Sequence, residues 1–139
     1  MSPLVLDCSV TMAWCFEDES DALADAVLGV FGETEVWVPA LWSIEVANVL
    51  LVAERRGRLT SAGSARFLEL LGELPIIVDG GTHERAFGSI LSKGRELSVS
   101  AYDATYVDLA IRLGALLATR DRSLKRACEE FGVEVFQKQ

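Results

Sequence analysis

Five short apolar runs, "PLVLD", "EVWVP", "PIIVD", "ALLAT" and "VEVF", punctuate the chain, and stretches with helical spacing separate them. This alternation is the strongest constraint on the fold: it is the pattern of an α/β domain built round a mostly parallel sheet. The helical stretches begin with "SVTMAWCF" and "SDALADAVLGVF", for which Ser9 and Ser20 are the expected N-caps. "ALWSIEVANVLLVAERRG" follows, ending at Arg55, Arg56 and Gly57, where cations and glycine suit a helix C-terminus. Thr60 opens "TSAGSARFLELLGEL", and another helix is expected from about Thr82 to Glu96. "SVSAYDATYVDLAIRLG" is capped by Ser98 or Ser100 and closed by Gly114, and "DRSLKRACEEFG" is the last helix. No linker, repeat or low-complexity tract intervenes, so residues 1–139 are expected to form one domain. In parallel sheets, sites form beyond the carboxyl ends of the strands.

Acids stand where that rule directs attention. Asp7 ends the first run, and Asp121 follows "ALLAT"; helix capping or a turn would explain either alone. Glu45 shares a helical face with Leu41, Trp42, Val49 and Val52, so burying it without a partner would be costly. Asn48 could hydrogen-bond it, or an arginine could pair with it. "SAYDATYVDLAIRL" carries two aspartates with different projections at about 100° per residue. Asp103 lies in line with Val107 and Ala110, on the apolar stripe, where it could complete a capping box with Ser100. Asp108 falls far round the helix with Thr105, one turn before Arg112. It reads as a solvated i,i+4 partner, worth at most a few tenths of a kcal/mol.

If the strands are parallel, Asp7, Glu45, Asp103 and Asp121 converge at one sheet edge. Such a cluster repels itself and raises its own pKa values, a penalty that divalent cations remove. Oxygen donors suit Mg²⁺ or Mn²⁺ better than zinc. Cations so held suit phosphodiester hydrolysis, activating water and stabilising the leaving oxygen. The single histidine, His83, rules out a His-pair zinc motif and reads as a surface helix residue. Cys8, Cys15 and Cys128 show no CxxC spacing and read as buried free thiols in apolar surroundings. No run approaches the ~20 apolar residues that span a bilayer, and the N-terminus lacks signal-peptide character, so a cytoplasmic location is expected. A net charge of −8 argues against a broad nonspecific nucleic-acid face. It leaves room for a nuclease whose acids are offset by metal.

The ordered set "LVLDCSV", "WSIEVANVL", "SAYDATYVDLA" and "LLATRDRSL" resembles PIN-domain ribonucleases, particularly the VapC toxins of toxin–antitoxin modules. The resemblance covers essentially the whole chain. It implies a three-layer α/β/α domain and an acidic metal-binding quartet, Asp7, Glu45, Asp103 and Asp121. Ser9, Asn48 and Thr119 fall where the family places supporting polar residues. Membership further implies an RNA substrate, Mg²⁺ or Mn²⁺ as cofactor, a homodimer, and an antitoxin of the VapB type. Arg120, Arg122, Lys125 and Arg126 flank Asp121; the first three could hold RNA phosphates, or all could be ordinary surface cations. Arg55, Arg56 and Arg58 read as helix-terminal charges. Glu17, Asp18, Glu19 and Asp21 read as a solvated turn and helix start rather than a second metal site.

Three rivals remain open on sequence. A phospho-acceptor receiver module would use Asp79 as acceptor and Lys125 as its cation, but Asp7 is followed by Cys8 rather than a second acid. A non-catalytic binding or regulatory module would keep the fold, though all four acids are present. A third keeps metal-dependent chemistry on DNA or a structured flap.

Overall fold

A computed structural model describes residues 2–19 and 21–137 of the chain. Four strands form the sheet: β1 (Leu4–Leu6), β2 (Val36–Pro39), β3 (Ile76–Asp79) and β4 (Leu116–Ala118). They run parallel throughout in the order β3-β2-β1-β4. Registers such as Leu6 opposite Ala118 and Pro39 opposite Asp79 align their carboxyl ends. "VEVF" contributes only one bridge, Val135 to Leu117, instead of the expected closing strand.

Side chains alternate across each central strand. Leu4 and Leu6 of β1, with Val36 and Val38 of β2, enter one apolar core with α1 (Cys8–Ala13), α2 (Ala22–Leu28), α3 (Leu41–Arg55) and α4 (Ser61–Gly72). Val5 and Leu117 enter the other, against α7 (Ala101–Leu113) and α8 (Arg122–Glu130). The result is the α/β/α layering expected, with β1 buried on both faces. Between β3 and α7, one helical run carries α5 (Thr82–Arg85), a wide turn over Ala86–Ile90 and α6 (Leu91–Leu97).

Caps resolve the open choices. Thr60 and Ser100 accept from Gly63 and Asp103 amides, whereas Ser98 is the left-handed residue closing α6. Ser9 is not a cap: it lies within the first turn of α1, and Asp7 holds the N-cap position. Asp21 caps α2 through the Ala24 amide, while Ser20 lies outside the described residues. Gly114 closes α7 at φ 60°. Only glycine is unstrained in that conformation, so Gly114→Ala is expected to cost about 1 kcal/mol in urea unfolding with an unchanged m-value.

The largest departure from expectation is Asp108. It is 0% exposed, because α7 is buried on every side from Ala104 to Ala110. The sheet covers one flank and the run Thr82–Leu97 packs on the other, leaving no solvent face at mid-helix. Arg112 Nε does lie at 3.3 Å, as the i,i+4 spacing implies. Two stronger partners come from the neighbouring run: Arg85, with bonds of 2.6 and 2.9 Å, and Lys93 at 3.1 Å. Burial alone would raise this carboxyl, but the Arg85 and Lys93 hydrogen bonds outweigh it and hold it well below the usual range. Arg112 also grips Asp79 through two bonds, at 3.2 and 2.7 Å. Asp79, the acceptor required by the receiver reading, is thus occupied as a structural anion.

Candidate active site

Parallel pairing of β1 with β4 sets the two loops carrying Asp7 and Asp121 side by side. Asp7 is 8% exposed. Its Oδ2 accepts from Ser9 Oγ at 2.6 Å and from Thr119 Oγ1 at 2.7 Å. Each hydroxyl receives a backbone amide in turn: Arg120 N–H donates to Ser9, and Asp121 N–H to Thr119, both at 3.0 Å. Those amides occupy acceptor capacity on the hydroxyls and leave the O–H groups to point at Asp7. Burial pushes the Asp7 carboxyl above its ordinary value; the hydroxyls oppose the rise and the Asp121 charge adds to it. Although Asp7 precedes α1, its side chain makes no capping hydrogen bond, so capping does not account for it.

Glu45 reaches the same edge from α3. Trp42 Nε1, one turn earlier, donates to Thr11 Oγ1 at 3.0 Å and ties α3 to α1. Tyr106 OH on α7 donates to Glu45 Oε1 at 2.6 Å. Burial raises the Glu45 carboxyl, the Tyr106 bond lowers it, and the Asp7 and Asp103 charges raise it further. No arginine pairs with Glu45 among the described residues. Asn48, the neighbour suggested by spacing, is exposed and makes no such bond; it lines a separate hollow with Val52, Arg56 and Arg58.

Asp103 and Asp121 meet through Ser123. Ser123 Oγ lies 2.9 Å from Asp121 Oδ1 and 3.3 Å from Asp103 Oδ2, so its single proton is within donating reach of both carboxylates. Ser100 Oγ accepts from the Asp103 amide, the first half of the expected capping box, while the Asp103 carboxylate takes its side-chain hydrogen bond from Ser123. Burial raises that carboxyl, the Asp121 charge adds to the rise, the Ser123 hydrogen bond opposes it, and the Asp7 charge adds again. Asp121 also caps α8 through the Ser123 amide at 2.8 Å. Capping and membership of the acidic cluster therefore coexist at this residue.

Tyr106 and Ser123 were missed in the sequence. Tyr106 had a signal, one helical turn beyond Asp103, but an aromatic on an apolar stripe reads as core. Ser123 looked like an ordinary residue of the first turn of α8.

The cations lie elsewhere. Among the described residues, none of the four acids has an ion-pair partner. Arg120 reaches Asp21 at 3.0 Å and Glu19 at 3.8 Å. Arg58 stacks over Phe16 and binds Asp18 and Glu19. Asp18, Glu19 and Asp21 are therefore paired with arginines rather than simply solvated, and Arg120 is drawn from the role suggested for it. Arg122 is exposed without a partner among the described residues, and Lys125 lines a hollow with Leu23 and Phe136. His83 is exposed, as expected; all three cysteines are free, Cys8 and Cys128 buried as expected but Cys15 only partly so.

What the site could hold follows from its donors. They are carboxylate oxygens, a hard set. The nearby Cys8 thiol is pushed up to about 12 by burial and by Glu45 and Asp7, so it stays protonated and offers no thiolate. No group of three or more His, Cys, Asp or Glu among the described residues is assembled in metal-holding geometry. The oxygen chemistry and the raised carboxyls nonetheless fit a hard divalent cation, whose charge would offset both repulsion and burial.

Comparison with known proteins bears on the family and the fold. Ribonuclease VapC3 of Pyrobaculum aerophilum is 31% identical over 121 residues, spanning 87% of this chain and 91% of that protein. The crystal structure of PAE2754 from the same organism superposes with a TM-score of 0.64 at 24% identity, over 91% of this chain and 79% of that one. FitAcB from Neisseria gonorrhoeae gives 0.67 at 17% identity, over 97% of both chains. Both structural likenesses establish the fold. The PIN domain family matches residues 4–130, nearly the whole domain, and with the VapC3 relationship this establishes that the chain belongs to the PIN-domain family, among its VapC-like ribonucleases.

Proposed function

We propose that the protein is a metal-dependent endoribonuclease acting as the toxin of a toxin–antitoxin pair, with Asp7, Glu45, Asp103 and Asp121 holding Mg²⁺ or Mn²⁺. The observation carrying this reading is four carboxylates at one sheet edge, held by hydroxyls and lacking any cation among the described residues. Three of them are raised above their ordinary values, partly by one another. A protein that needed these acids only for stability would pair them, as it pairs Asp79 and Asp108. A bound cation would lower the pKa of a water and stabilise charge on the phosphate and leaving oxygen. Ser9 and Thr119 fix the Asp7 carboxylate, Tyr106 orients Glu45, and Ser123 holds Asp103 beside Asp121. Exposed Arg122 and partly exposed Lys125 are the two of the three suggested cations still available for RNA phosphates.

The reading places the enzyme in the cytoplasm; no helix among the described residues is long and apolar enough to cross a membrane. It also includes a homodimer and a VapB-type antitoxin. The test is incubation of the purified protein with single-stranded RNA and with DNA of the same sequence. Internal cuts in RNA alone are expected; intact RNA under both Mg²⁺ and Mn²⁺ would overturn the proposal. A second readout is thermal unfolding. Mn²⁺ at about 100 times its Kd should stabilise the fold by about 2.7 kcal/mol, and that gain should shrink in Asp7→Asn.

A further inference from the structure

We propose that Tyr106 is a positioning residue which, through its hydroxyl, holds Glu45 toward the other three acids and thereby sets the affinity of the site for a divalent cation. The inference rests on the metal-dependent reading and adds a determinant that lies outside the acidic quartet. The other three acids are on shorter side chains, each beside a hydroxyl of its own loop or of a neighbour. Asp7 leaves the end of β1 with two hydroxyls on one oxygen. Asp103 and Asp121 share Ser123, and Asp121 is pinned further by the Ser123 amide.

Glu45 is different. It comes from the far core layer on α3, its side chain is longer by a rotatable bond, and it is only half-buried. Its hydrogen bond to Tyr106 is the sole hydrogen bond of its side chain among the described residues. Without that bond the carboxylate is free to turn toward solvent, and a cation arriving at the site must first order it. Tyr106 suits the task because its ring is enclosed in the core. It is 1% exposed and packed with Val107, Leu109 and Leu124 in the second core. The bond spans 61 positions in sequence and crosses from one core layer to the other. It couples the helix carrying Glu45 to the helix carrying Asp103. Support of this kind around ligating groups typically changes metal affinity 10–100-fold.

Tyr106→Phe removes the hydroxyl and keeps the packed ring. The experiment is Mn²⁺ titration of wild-type and Tyr106→Phe protein, with free Mn²⁺ read by electron paramagnetic resonance, alongside RNA cleavage over the same Mn²⁺ range. The expected result is Mn²⁺ binding roughly 10–100-fold weaker in the variant, with cleavage returning toward the wild-type rate at saturating Mn²⁺. Equal Mn²⁺ affinity in both proteins would overturn the positioning role while leaving the nuclease reading intact. A variant that saturates with Mn²⁺ but stays inactive would also overturn it, by giving the hydroxyl a part in the reaction itself. Absence of saturable Mn²⁺ binding by the wild type would overturn the metal reading and this inference together.

Discussion

Asp103→Asn is expected to lower RNA cleavage by at least about 100-fold, the upper range for disturbing a ligand's support and a lower bound for losing the ligand itself. The same substitution should leave thermal stability unchanged or raised. Asp103 is raised by burial and by the charges of Asp121 and Asp7, so removing its charge relieves repulsion in the metal-free protein. Loss of activity with retained or improved stability is the signature of a group kept for function at the expense of the fold. Cleavage of a fluorogenic RNA, together with a melting curve on the same preparation, separates this from simple unfolding. A destabilised, partly active variant would point instead to a structural acid.

Asp108→Asn should do the opposite. Residues 103 and 108 stand on one helix, yet Asp108 is fully buried among Arg85, Lys93 and Arg112. Taking away its charge leaves three cations around a neutral amide. Loss of one side of a buried ion cluster costs 3–5 kcal/mol; with the arginines partly solvated, about 3 kcal/mol is expected. Urea unfolding measures it directly. An effect of a few tenths, as for a surface i,i+4 pair, would mean the cluster is solvated after all. Cleavage per folded molecule should change far less than in Asp103→Asn.

Acid behaviour follows from the same contrast. Asp79 is held low by its Arg112 bonds, and Asp108 by Arg85 and Lys93 against its burial. Folded values below the unfolded value near 3.8 mean their stabilisation is complete above that pH and is lost as pH falls toward the depressed values. Asp7, Glu45 and Asp103 act in the reverse sense. Their raised values make the charged forms costly at neutral pH, and protonation relieves the cost as pH falls through them.

The fold was readable because short apolar runs and helical spacing alternate in order, and a parallel sheet is what such order builds. Convergence of the four acids followed from the strand-end rule together with their inward helical faces. Asp108 was misread because a helical wheel gives a residue's direction and not what occupies that direction. The partners that bury it, Arg85 and Lys93, lie 23 and 15 residues away on a run whose packing no local pattern announces. Tyr106 and Ser123 escaped for a related reason. Each resembles its local surroundings, core aromatic or first-turn serine, and only the tertiary contact gives it a role. Asn48 fails in the other direction: a spacing that permits a bond to Glu45 does not turn its side chain that way.

The most direct test of the central claim is the rate of RNA cleavage by EDTA-treated wild-type protein as Mn²⁺ is added back. No cleavage before addition, followed by a saturable rise, is the expected result. Cleavage at full rate in the presence of EDTA would contradict the assignment of Asp7, Glu45, Asp103 and Asp121 as a cation site that drives the reaction.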